Sequence, residues 1–161
     1  MQTASNILWK LLILISLLFF VAGLIAVDSN HMVQVELKVQ RGTKNQLIAE
    51  FNIQNISEEI VWIFKYNLCQ EGESNRKLFL INDMQGKEIG YIGRFVKIVP
   101  KPEHFIELPP GEYIKSQCRL DRIYDFLGNS GTYQIRYDVS NNYLKKDQEM
   151  ELISNTLIFT Y

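Results

Sequence analysis

Histidine and cysteine are almost absent from this chain. His31, His104, Cys69 and Cys118 are the full set in 161 residues, which leaves little from which to build a transition-metal centre or a nucleophilic dyad. Neither histidine stands in a His-Glu-x-x-His helix. No Gly-x-Ser-x-Gly elbow occurs, because Gly128-Asn129-Ser130-Gly131 has the wrong spacing, and no glycine-rich loop precedes a helix in the manner of a phosphate cradle. Carboxylate pairs such as Glu58-Glu59 and Glu149 with Glu151 read as solvated turn or strand charges. A dyad of Cys69 or Cys118 with His104 is set against a structural cysteine, and the inward position predicted for Cys118 favours the structural role. The residues point to no catalytic, cofactor or metal site.

Charge of one sign is not in excess either. The chain has 17 basic and 18 acidic residues, a net charge of −1. Lys10 is the only charged residue before Asp28, so removing it leaves 16 basic against 18 acidic residues, −2, beyond Val27. Without a basic surplus to neutralise phosphates, nucleic-acid binding has no electrostatic support. The four prolines, 100, 102, 109 and 110, are crowded into one stretch, which keeps residues 100–110 out of helix and out of central ladders. Internal repeats, low-complexity segments and amphipathic helices are lacking.

What is present begins with an apolar run. Residues Leu11 to Val27 are interrupted only by Ser16 and Gly23, and extension back through Ile7-Leu8-Trp9 gives about the 20 residues a membrane helix needs. The run is hydrophobic all round, unlike the one-sided stripe of a surface helix. Lys10 places the N-terminus on the cytoplasmic side and the rest of the chain across the membrane. Residues 1–27 therefore read as an uncleaved signal anchor holding the membrane through residues 7–27. The alternative is a cleaved signal peptide, for which Ala22-Gly23 and Ala26 are weak cleavage signals. Either way residues 28–161 form an extracytoplasmic domain, periplasmic or extracellular, secreted if the leader is cut.

That domain reads as all-β. Val33, Val35, Leu37 and Val39 alternate with polar residues, as do Leu47, Ala49, Phe51 and Ile53, and the pair is a hairpin or a sheet edge. Ile60–Phe64 is a continuous apolar run, expected as a central strand buried on both faces. Leu78–Ile81 is a short strand, and Ile89–Val99 carries further short extended pieces bent at Gly90 and Gly93. Tyr113–Leu120 alternates again, and residues 121–129 cross over. Gly131–Val139 is the clearest strand, with Tyr133 placed like a tyrosine corner. Met150–Tyr161 closes the fold. About 7–9 short strands with turns near every tenth residue make an immunoglobulin-like antiparallel β-sandwich the expected fold, preceded by one N-terminal hydrophobic helix.

An exported chain meets an oxidising compartment, so Cys69 and Cys118 form either a disulfide or two unlinked thiols with Cys118 as a small core residue. Asn55-Ile56-Ser57 is the one glycosylation sequon. Most aromatics fall in alternating runs and belong to the core. Tyr91, Phe95, Phe105 and Phe126 sit instead in turn-rich segments where a partner reaches them.

Several motifs fall in a characteristic order. They are Asn55-Ile56-Ser57, Asn67 followed by Glu71-Gly72, Tyr91-Ile92-Gly93 with Lys97, Pro100 and Phe105, Leu108-Pro109-Pro110-Gly111-Glu112, Tyr124-Asp125, and Gly131-Thr132-Tyr133 ending at Tyr137. In this order they resemble the non-catalytic N-terminal β domain that precedes the zinc catalytic domain of deuterolysin-like metallopeptidases. Cys69 stands where that pattern often has proline, and Ile98 where a second basic residue is common. The zinc-bearing domain has no counterpart in the sequence, so its ligands carry over to no residue. The resemblance implies a stand-alone, non-enzymatic β module that binds a protein partner, in its sharpest form an extracytoplasmic metallopeptidase that it binds or inhibits. The loops at 67–76 and 91–106 carry the expected contacts, with Glu71, Tyr91, Arg94, Phe95, Lys97 and Phe105 as the candidate residues. Two other readings stand beside it: an envelope or assembly protein that pairs through an edge strand, and a sandwich that binds a small ligand or sugar in an aromatic pocket.

Overall fold

The computed structural model describes residues 32–43, 46–126, 130–143 and 148–161, with the side chains of 142–149 left aside. The chain divides into two units, Met1–Asn30 and His31–Tyr161, and every described residue belongs to the second. The apolar run, and with it the expected anchor or signal, lies outside the described residues. Among those residues no helix is long and apolar enough to cross a membrane.

The described part is mostly β, built from antiparallel pairs. Strands β1 (Val33–Arg41) and β2 (Leu47–Asn55) pair along their whole length, and β2 pairs on its other side with β6 (Tyr113–Arg119). The period-2 pattern decides which face turns inward: Val33, Val35 and Leu37 are buried and Gln34, Glu36 and Lys38 exposed, while Leu47, Ala49, Phe51 and Ile53 form the buried row of β2. A second sheet is organised by β7 (Thr132–Tyr143). Its first half pairs with β4 (Phe79–Asp83) on one side and β9 (Leu157–Thr160) on the other, and its second half pairs with β8 (Gln148–Ile153). Two short strands, β3 (Val61–Phe64) and β5 (Phe105–Leu108), make a third, two-stranded sheet.

The buried rows of the two larger sheets join one core. Phe51 of β2 stacks on Tyr137 of β7 with centroids 4.5 Å apart, and Phe79 of β4 packs edge-on to both at 5.8 and 5.7 Å. Burying one such ring stabilises by about 1.5–3 kcal/mol, and each aromatic pair adds about 0.5–1.5 kcal/mol.

Four expected features take another form. Val61–Phe64 is no central strand. Its ladder partner is β5, and its other edge is filled by the Asn141 side chain, which donates to Trp62 O and accepts from Phe64 N, both at 2.8 Å. Residues 121–123 belong to a helical turn, α1 (Leu120–Ile123), rather than a plain crossing. Within 100–110, Pro102–His104 makes a short 3-10 turn leading into β5. Residues 89–99 contain no strand, only the single bridge between Tyr91 and Tyr124.

Side chains close other edges in the same way. Asn155 faces β1, accepting from Leu37 N at 2.8 Å and donating to Leu37 O at 3.3 Å. The Tyr124 hydroxyl accepts from Phe79 N at 2.9 Å and donates to Phe79 O at 2.8 Å. An amide or hydroxyl that offers both a donor and an acceptor satisfies a strand residue as a neighbouring strand would.

Candidate interaction surface

The motif residues have structural occupations. Asn55 is fully buried, and its amide uses its whole capacity: Nδ2 donates to Glu59 O and Leu108 O, while Oδ1 accepts from Ser57 N and Ser57 Oγ. The sequon amide is therefore sealed in the fold and fully paired. Its backbone pairs with the Leu108–Glu112 motif, since Asn55 N donates to Glu112 O and Gly111 N donates to Asn55 O. Gly111 sits at φ 77° after Pro110, as the third residue of a turn closed by Glu112 N donating to Pro109 O. Asn67 is buried, and its carbonyl accepts the Tyr137 hydroxyl at 2.8 Å. Burial pushes the Tyr124 and Tyr137 hydroxyls well above the ordinary tyrosine range, so both stay protonated donors.

A disulfide joins Cys69 to Cys118, with Cα atoms 5.5 Å apart. Neither sulfur is then a free thiolate, which removes the dyad with His104. The bond fixes residues 67–73 against β6, aided by Cys69 N donating to Ser116 Oγ and Arg119 N donating to Gly72 O. At the tip, Gln70 and Glu73 exchange both backbone hydrogen bonds around Glu71-Gly72. Glu71 has φ 52° and Gly72 φ 83°, the positive pair of a type I′ hairpin turn. Glu71 is the one non-glycine residue with positive φ among the described residues, and it is exposed.

The second loop is organised by Tyr91. Its hydroxyl lies 2.8 Å from Ser74 O and 2.9 Å from Arg94 O, sharing one proton between them, and 3.2 Å from Ser74 Oγ. Burial is the main cause that raises its pKa, with the Ser74 hydrogen bond opposing and the Glu73 carboxylate adding. The ring lies across Gly93, where any Cβ would stand 2.5 Å from the Tyr91 hydroxyl oxygen. Backbone bonds tie the loop to its neighbours: Ile92 N donates to Ile123 O, Val96 N to Asn75 O and Asp125 N to Gly90 O.

Ile92, Phe95 and Val96 on this held backbone, and Val99 beyond it, are exposed by 60, 73, 49 and 71%. Arg94, Lys97 and Lys101 are exposed beside them and form no ion pair among the described residues. Arg94 also lines a cleft of about 470 Å³ with Gln70, Glu71, Glu73, Asn75 and Arg122, in which Arg122 lies 3.8 Å from Glu73.

The candidate residues thus divide. Glu71 and Arg94 meet in one cleft, and Phe95 and Lys97 continue from it along the exposed loop. Tyr91 is half-buried and supports that loop from beneath. Phe105 is withdrawn: it is 6% exposed on β5, its ring 5.1 Å from Phe64, because pairing with β3 turns it inward. Phe126 is likewise buried, against Tyr133, Phe159 and Tyr161. Sequence reasoning missed the exposure of Ile92, Val96 and Val99 and the place of Arg122. The signal available was the run from Tyr91 to Pro102, which has three basic residues and no acidic one.

No protein-family model matches the chain, and no curated protein is detectably similar to it.

Proposed function

We propose that the chain is a non-enzymatic protein-interaction module whose β domain works outside the cytoplasm, tethered through residues 7–27 or secreted. The observation that carries this reading is the loop 91–101. Four large apolar side chains stand in solvent, three of them, Ile92, Phe95 and Val96, on a backbone held by the Tyr91 hydroxyl and by hydrogen bonds to Ile123 and Asn75. Such exposure is costly unless something covers it, and a held loop loses little entropy when it is covered. The disulfide supports the oxidising address.

The two larger sheets, meeting at Phe51 and Tyr137, are read as the layers of an immunoglobulin-like sandwich. The order of motifs supports kinship with the β domain of deuterolysin-like peptidases, and an extracytoplasmic zinc peptidase is the partner proposed. Assembly through strand addition has less support, since Asn155, Asn141 and Tyr124 side chains already occupy edge positions of β1, β3 and β4. The test is titration of the full chain, and of a Phe95→Ser variant, against zinc peptidases from the same organism's envelope or medium, reading both binding and peptide hydrolysis. A complex that the variant weakens supports the reading; binding indifferent to the variant contradicts it.

A further inference from the structure

Resting on the reading of loop 91–101 as the contact surface, we infer that the segment it takes from its partner is a peptide carrying a carboxylate next to a large apolar side chain. The chemistry of adjacent residues carries this. Arg94 lines the cleft and its side chain has no ion-pair partner among the described residues, whereas Arg122, which lines the same cleft, lies 3.8 Å from Glu73. An unpaired guanidinium donates two parallel hydrogen bonds to a carboxylate. The next residue, Phe95, is 73% exposed and rests edge-on against Tyr91 at 4.9 Å, so one flank of its ring is supported and the rest stands open to an apolar side chain. Val96 and Val99 extend that surface and Lys97 and Lys101 border it with positive charge. An anionic bilayer would use the same lysines and Phe95. Glu71 and Glu73, which line the same cleft as Arg94, oppose a continuous anionic sheet yet offer acceptors to the backbone N–H groups of a peptide. The mixed signs therefore favour a peptide.

The experiment uses the full chain, immobilised in non-ionic detergent, to select from a displayed library of random peptides. Selection is repeated with Arg94→Glu and Phe95→Ser, each checked for an unchanged melting temperature, and vesicles of phosphatidylglycerol and phosphatidylcholine are tested in parallel. The expected result is clones that pair Asp or Glu with Leu, Ile or Phe, whose affinity falls about thirtyfold in Phe95→Ser and by a similar factor in Arg94→Glu. Clones weakened by Phe95→Ser but lacking carboxylates or indifferent to Arg94→Glu would overturn the acidic segment and leave the loop as a contact surface. Clones indifferent to both variants would overturn both. Vesicle binding lost in both variants, with no peptide selected, would assign the loop to a bilayer and overturn the inference.

Discussion

Replacing Tyr124 by Phe removes one oxygen and should cost far more than an ordinary surface change. The ring keeps its place edge-on to Phe79, with centroids 6.3 Å apart, so packing is almost unchanged. What disappears is the partner of both backbone polar groups of Phe79, the N–H at 2.9 Å and the C=O at 2.8 Å. Tyr124 is 1% and Phe79 0% exposed, so water does not replace the lost partner without opening the edge of β4. A buried group stranded in this way costs about 1–3 kcal/mol, and with partial relaxation the pair should cost about 2–4 kcal/mol. For a domain of this size that lowers the melting temperature by roughly 8–15 °C. Urea unfolding of the full chain in mild detergent, followed by near-ultraviolet circular dichroism, measures it. Tyr113→Phe, on an exposed ring, is the control and should change stability by less than about 0.5 kcal/mol. A loss below about 1 kcal/mol for Tyr124→Phe, or one equal to the control's, would refute the claim that the hydroxyl stands in for a strand.

Glu71→Asn should raise stability by about 0.5–1 kcal/mol, since Asn tolerates the positive φ better, while weakening partner binding; denaturation and titration of the same variant read both. Gly93→Ala forces Tyr91 off its three oxygen partners, and a loss of about 1–3 kcal/mol should appear together with faster amide exchange at residues 92–96. Opening the Cys69–Cys118 bond, which closes a separation of 49 residues, should cost about 4 kcal/mol in the chain-entropy picture, read as a lower urea midpoint in dithiothreitol. The pH profile should fall at both ends. Burial raises the Asp121 pKa, but the Arg119 hydrogen bonds and the Leu47 N–H outweigh it and hold the carboxyl below its ordinary value, so its contribution is present above about pH 4 and lost as pH falls through the depressed value. Burial raises Tyr91, Tyr124 and Tyr137, so their contribution is complete below about pH 10 and lost as pH rises beyond it. Urea midpoints from pH 3 to 11 check both limits, and Tyr124→Phe should flatten the alkaline decline.

The strands with one buried face were legible because their side chains alternate: Val33, Val35, Leu37 and Leu47, Ala49, Phe51, Ile53 read directly as inward rows. The β3–β5 pair was not, since all its partners lie more than 40 residues apart, Phe64 and Phe105 being the nearest in sequence, and no local pattern encodes that pairing. The Tyr124 and Tyr137 hydroxyls hold distant backbone from buried sites, ties that no local spacing encodes. The run Ile92–Val99 resembles a strand in composition. It is irregular because the Tyr91 hydroxyl and Gly93 draw its first turn tight, and Pro100 and Pro102 lack the N–H groups a ladder needs. Of the candidate residues, Glu71, Arg94, Phe95 and Lys97 are exposed, as residues of such loops usually are; Phe105 is buried, because proline crowding conceals a strand of four residues. The ordered motifs themselves mark locks, such as Asn55 with Gly111 and Asn67 with Tyr137, so they speak to architecture more than to partner.

The most direct measurement is a photo-crosslinking amino acid placed at position 95 in the full chain, expressed in its native cells, with the same group at position 158 as the comparison. Ile158 is 63% exposed on β9 and lies outside the loop. The account predicts a discrete protein adduct from position 95, lost when Arg94 is changed to Glu, and none from position 158. No adduct at 95, or the same adducts from both positions, would contradict it.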